Sequence, residues 1–112
     1  MKIDVERGDE VTMVRLAGSV DGLTAPDLEQ AIKAESAAGG TRFVLVLADV
    51  DYTSSAGLRV LLGATKEARA RGGDVRLAAV REHVRKVLEL SGFTGILKLY
   101  PDEAAARASF TG

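Results

Sequence analysis

Residues 43–62 read FVLVLADVDYTSSAGLRVLL. The opening run, Phe43 to Ala48, is the longest uninterrupted apolar stretch of the chain. Short and apolar on both faces, it predicts a central strand over 42–50 that is covered on two sides. After the hydroxyl triplet Thr53, Ser54 and Ser55 the period changes. Leu58, Leu61, Leu62 and Thr65 recur at i, i+3, i+4 and i+7, while Arg59, Lys66 and Arg69 fall on other faces. That is an amphipathic helix, and Gly72-Gly73 ends it. Asp49 and Asp51 flank the loop expected between strand and helix.

The same alternation continues outward. KIDVE and VTMVRLA (11–17), separated by the polar turn RGDE, predict an N-terminal hairpin. A helix follows, with Thr24 as its N-cap, Pro26 in its first turn, Leu28, Ala31 and Ile32 as its stripe, and Gly39-Gly40 at its end. Downstream, DVRLAAV (74–80) reads as a strand. Val84, Val87 and Leu88 mark a helix supported by Glu82–Lys86 and Arg85–Glu89 pairs. ILKLY (96–100) alternates like an edge strand, and Asp102 to Ser109 reads as a short alanine-rich helix. The order β-β-α-β-α-β-α-β-α predicts one α/β domain over 1–112: a mixed, mostly parallel sheet with an N-terminal hairpin and about four helices.

Composition narrows the function. With 112 residues and 46% hydrophobic content, the chain can build one core. Fifteen Lys and Arg stand against sixteen Asp and Glu, a net charge of −1, with no Trp, three Phe and two Tyr. Neither a basic field nor base-stacking platforms are available, which argues against nucleic-acid binding. There is no cysteine and a single histidine, His83, so thiolate and histidine metal sites are excluded. Gly63-Ala64-Thr65-Lys66 lacks the Gly-Lys adjacency of a P-loop, and no cofactor is expected. MKIDVERGDE has no apolar signal core, and Phe43–Ala48 is far too short to span a bilayer. The expectation is a cytoplasmic protein without membrane insertion. The hairpin leaves a sheet edge, and the oligomeric state stays open.

The hydroxyl triplet admits two uses. One hydroxyl satisfies an orphaned N–H at the helix start. Three are more than a cap needs, and Ala56-Gly57 leave that end of the helix bare, where an added anion is favoured by the free N–H groups and the helix dipole. A nucleophile elbow would need glycine where Thr53 stands, and Ser55 would need His83 as its base. Asp49 and Asp51 read more simply as turn formers than as a Mg²⁺ site.

Three blocks of this sequence resemble the STAS domain family, and within it the single-domain bacterial anti-sigma factor antagonists. LAGSVDGLTAPDL (16–28) is similar to the family's L-x-G-x-L/V/I-D-x-x-T-A segment at Leu16, Gly18, Val20, Asp21, Thr24 and Ala25. Residues 43–62 resemble its strand, acidic loop and D-S-S/T-G-L-x-x-L helix start, with Ser54 in place of the motif's Asp and Ala56 in place of its second hydroxyl residue. VRKVLELSGF (84–93) resembles its V-x-x-x-L/F-x-x-S/T-G-L/F helix end.

The resemblance implies an antagonist that binds a GHKL-type serine kinase acting as anti-sigma factor. Phosphorylation of one serine switches it off, and a PP2C-type phosphatase restores it. That serine corresponds to Ser55. Asp21, Asp49, Asp51, Ser54, Ala56, Gly57 and Arg59 would form the partner surface. Two rival expectations are an unmodified subunit of a lipid-transport or stressosome-like complex, and a small serine hydrolase using Ser55 and His83.

Overall fold

The computed structural model describes residues 1–111. Its elements are β1 (Lys2–Arg7), β2 (Thr12–Val20), α1 (Ala25–Ala37), β3 (Arg42–Thr53), α2 (Ser55–Ala70), β4 (Asp74–Ala78), α3 (Glu82–Leu90), a 3-10 turn (Phe93–Gly95), β5 (Lys98–Tyr100) and α4 (Glu103–Ala108). The five strands lie in the sheet in chain order; β1 pairs antiparallel with β2, and the remaining pairs are parallel. This is the α/β architecture that the alternation predicts. Each parallel step is a right-handed crossover in one direction, which puts α1, α2 and α3 on one face of the sheet.

Strand alternation sorts the core into two layers. Phe43, Leu45 and Leu47 pack with Leu28, Ile32, Leu58, Leu61, Val84 and Leu88 beneath the three crossover helices. Val44 and Val46 face the other way and pack with Met13, Ala78 and Ala106, where α4 and Phe110 close the second face. Burial on both faces is why β3 reads as a continuous apolar run rather than an alternating one.

The structure departs from the sequence reading at two places near the site. Thr24 does occupy the N-cap of α1, with Pro26 in the first turn, but its side chain makes no cap hydrogen bond. Its hydroxyl donates instead to Ser19 O at 2.7 Å and accepts from Asp21 N–H at 2.8 Å. The larger correction concerns the end of β3: the strand runs on past the expected residue 50 to Thr53, so Asp51 lies on it, as Asp49 does, and no loop separates them. Pairing with β2 carries β3 on to Thr53, with register shifts between Arg15 and Ala17 and between Gly18 and Ser19. Each shift accommodates an extra β3 residue, a bulge that breaks the two-residue period. Leu47, Val50 and Thr53 are buried while the residues between them are exposed, a three-residue spacing that conceals the strand.

At the opposite end of the sheet, Asp74 is buried at the start of β4, its side chain 7% exposed. It accepts from Arg69 Nε at 2.8 Å, Arg76 Nε at 3.1 Å and Val75 N–H at 2.9 Å. Arg76 also lies 4.0 Å over the Phe110 ring and donates to Ser109 Oγ, linking the C-terminal segment to the sheet. Burial alone would push the Asp74 carboxyl up, but the hydrogen bonds from Arg76, Arg69 and Val75 outweigh it and hold the group below its usual range. A depressed carboxylate contributes stability above its unfolded value, about 3.9, and loses it as pH falls through the folded value. Asp74→Asn is therefore expected to cost about 2 kcal/mol at neutral pH. Urea unfolding at several pH values should show the gap to the unsubstituted protein closing below about pH 4.

Candidate functional site

The three hydroxyls between β3 and α2 have three different fates. Thr53 is buried, 4% exposed, and its side chain packs beneath the first turn of α2. Ser54 is the N-cap: it has extended backbone angles, its Oγ accepts from Gly57 N–H at 3.5 Å, and its carbonyl accepts from Leu58 N–H at 3.0 Å. Ser55 is the first residue of the helix and is exposed. Among the described residues its hydroxyl has no hydrogen-bond partner, so it is the one member of the triplet with no structural duty. As the first helical residue it lies in the turn whose free N–H groups and dipole favour negative charge.

The neighbouring predicted residues gather at this end of the sheet. Arg59, exposed and four residues on, shares the helix face of Ser55, and Ala56 is half-buried. Gly57 is buried for a steric reason. A Cβ there would lie 2.5 Å from Thr53 Oγ1, 2.8 Å from Val20 Cγ1 and 2.9 Å from Val20 O. Only glycine lets α2 start this close to the end of β2. The two segments are also joined by Ser54 N–H donating to Val20 O at 2.8 Å.

Asp21 spends its carboxylate on its own loop, accepting from Leu23 N–H at 2.9 Å, Thr24 N–H at 3.1 Å and the Thr24 hydroxyl at 3.2 Å. The main-chain donors of Leu23 and Thr24 hold its carboxyl below the usual carboxylate range. Asp49 and Asp51 point outward from β3, and Asp51 Oδ1 accepts from Ser19 Oγ at 3.1 Å. Two apolar residues at this end gave no sequence signal: Leu23 is 88% exposed and Tyr52 52%. Nothing in a sequence separates an exposed leucine from a buried one before the fold is known.

His83 Nε2 lies against the main-chain carbonyl of Asp51. That nitrogen is committed to a backbone acceptor, and the Ser55–histidine pair that a hydrolase needs is not assembled. The depression lined by Arg7, Thr12, Glu35 and Arg42 lies at the far end of the sheet, where the parallel strands begin. The Ser55 end is an exposed surface built by two strand ends and a helix start, a form suited to docking another macromolecule.

The sequence matches the STAS domain family over residues 2–106, and the chain belongs to that family. It is 38% identical over 110 residues to the Bordetella bronchiseptica protein BtrV, whose name describes an anti-sigma factor antagonist; the match covers 98% of this chain and 95% of that protein. The anti-sigma-B factor antagonist of Bacillus subtilis is 27% identical over 99 residues, covering 88% and 90% of the two chains. The crystal structure of an anti-sigma factor antagonist from Mycobacterium paratuberculosis superimposes with a TM-score of 0.89 at 29% identity, over 99% of this chain and 94% of that one.

Proposed function

We propose that this protein is an anti-sigma factor antagonist: a cytoplasmic regulator that acts by capturing an anti-sigma factor and is switched off by phosphorylation at Ser55. The observation that carries the reading is the division of labour in the triplet. Thr53 packs and Ser54 caps, which leaves Ser55 exposed and uncommitted. The relatives named as antagonists support the same role.

The partner is a GHKL-type serine kinase that doubles as the anti-sigma factor, and a PP2C-type phosphatase reverses the modification. Asp49, Asp51, Ala56 and Arg59 meet the partner directly, while Asp21, Ser54 and Gly57 shape the surface from within. A phosphoryl group brings about −1.5 to −2 charges into that surface, and docking would have to desolvate them. Alternatively, the phosphate folds back on Arg59 and withdraws that side chain from the partner.

Mass spectrometry of the tagged protein purified from its own host reads modification sites and co-purifying chains together. The expected result is phosphate on Ser55, with a GHKL-type ATPase retained by the unmodified form. An unmodified Ser55 in an ATP-insensitive complex with transport or scaffold subunits would overturn the switch and leave the triplet a structural feature.

A further inference from the structure

The serine end of the sheet is narrower than its base. Pairing between β3 and β4 stops at Val46↔Ala78, whereas β2 and β3 stay paired as far as Val20↔Thr53. On the other side, β1 follows β2 only to Ala17. Beyond these points β2 and β3 project as a ribbon of two strands that carries Asp49, Asp51 and Tyr52 and delivers Ser54 and Ser55 to α2. A two-stranded ribbon is marginally stable alone, so whatever holds its flank sets how firmly it is aimed.

The flank that β4 has vacated is held from α3. Arg81, the N-cap residue of that helix, donates from Nε to Ala48 O at 2.8 Å. His83, in the first turn, places Nε2 against Asp51 O. Beneath them Val84 and Val50 are buried at 1% and 0% exposure. Two side chains thus take the place of a missing strand, supplying donors to main-chain acceptors that β4 no longer reaches. Because both acceptors are backbone carbonyls, the contacts fix the path of the strand and not merely the pose of a side chain.

We propose that Arg81 and His83 are positioning residues for Ser55: they clasp the free edge of the β2–β3 ribbon and thereby set where the serine hydroxyl is presented to its modifying partner. The inference rests on Ser55 being the modified residue. Transfer of the ATP γ-phosphoryl to Ser55 Oγ, which releases ADP and the hydroxyl proton, depends on bringing that oxygen in line. Neither Arg81 nor His83 touches the reacting atoms; both act through the strand.

The test uses the full chain with Arg81→Ala/His83→Ala, His83→Ala alone and His83→Gln, whose amide can still donate. Amide hydrogen exchange by NMR should be about tenfold faster at Ser54 in the double variant. The core amides of Val44 and Leu45 should be unchanged. His83→Gln should lie closer to the unsubstituted protein than His83→Ala does. In the host, the fraction of Ser55 carrying phosphate should fall severalfold in the double variant. Unchanged exchange at Ser54 would overturn the clasp. Faster exchange with undiminished phosphate would overturn the positioning role alone. Absence of phosphate from the unsubstituted protein would overturn the proposed function and this extension together, and that outcome is recognised without any variant.

Discussion

Ser55→Asp is expected to weaken capture of the anti-sigma partner by about 30- to 100-fold, while Ser55→Ala leaves the affinity within about threefold. The asymmetry follows from the position of the hydroxyl. It is exposed and unbonded among the described residues, so alanine removes an oxygen that solvent was satisfying. Aspartate instead places a charge inside the proposed docking surface, at a cost of about 2–3 kcal/mol for desolvation without a matched partner. The folded chain should not object to that charge. A carboxylate in the first turn of α2 interacts favourably with the helix dipole, so the thermal midpoint of Ser55→Asp should equal or slightly exceed that of the unsubstituted protein. Titration calorimetry against the proposed anti-sigma partner recovered from the host, paired with thermal melts, separates the two effects. Equal affinities for the two variants would mean that charge at this position does not control docking.

Gly57→Ala should be the most damaging single methyl group at the site. Within a helix, glycine to alanine ordinarily gains up to about 1 kcal/mol. Here the added Cβ meets Thr53 Oγ1 at 2.5 Å, Val20 Cγ1 at 2.8 Å and the Val20 carbonyl oxygen at 2.9 Å. That carbonyl also accepts from Ser54 N–H, so relief of the clash must pull the start of α2 away from β2. Overpacking of this kind costs about 2–3 kcal/mol, a drop of about 10 °C in thermal midpoint for a chain of this size. Gly63 supplies the control: it lies in the same helix, and a Cβ added there would meet nothing within 4 Å. Gly63→Ala should gain about 0.5–1 kcal/mol by propensity. Opposite signs at two glycines of one helix would identify close approach, rather than helix propensity, as the reason for Gly57. Calorimetric melts of both variants decide it.

Much of this architecture could be read from the chain before its fold was known, where local period and tertiary burial agree. Phe43–Ala48 announced a strand buried on both faces, and Leu58, Leu61 and Thr65 are indeed buried along α2. The i,i+4 pairs Glu82–Lys86 and Arg85–Glu89 close at 3.8 and 3.6 Å. The reading failed where tertiary geometry overrides period. Bulges space the buried residues of β3 at 47, 50 and 53, a period that belongs to neither ideal strand nor helix, so the strand appeared to stop at 50 with a loop before the helix. The buried Asp74 carried no signal either: Arg76 is its neighbour two residues along β4, but Arg69 reaches it only when the end of α2 meets that strand. In the sequence His83 stands among Arg81, Glu82 and Arg85, which gives it no distinguishing signal. Its contact with the Asp51 carbonyl depends on β3 outrunning β4, which no local pattern encodes.

The identity of sheet order and chain order has a consequence for synthesis. As the polypeptide emerges from its N-terminus, each new strand finds the edge it must pair with already present, so the sheet can grow by one neighbour at a time. The layer made by Met13, Val44 and Val46 is the exception. Its cover, Ala106 and Phe110, follows every strand in the chain, so this greasy surface stays open to water and to chaperones until the last helix has been made.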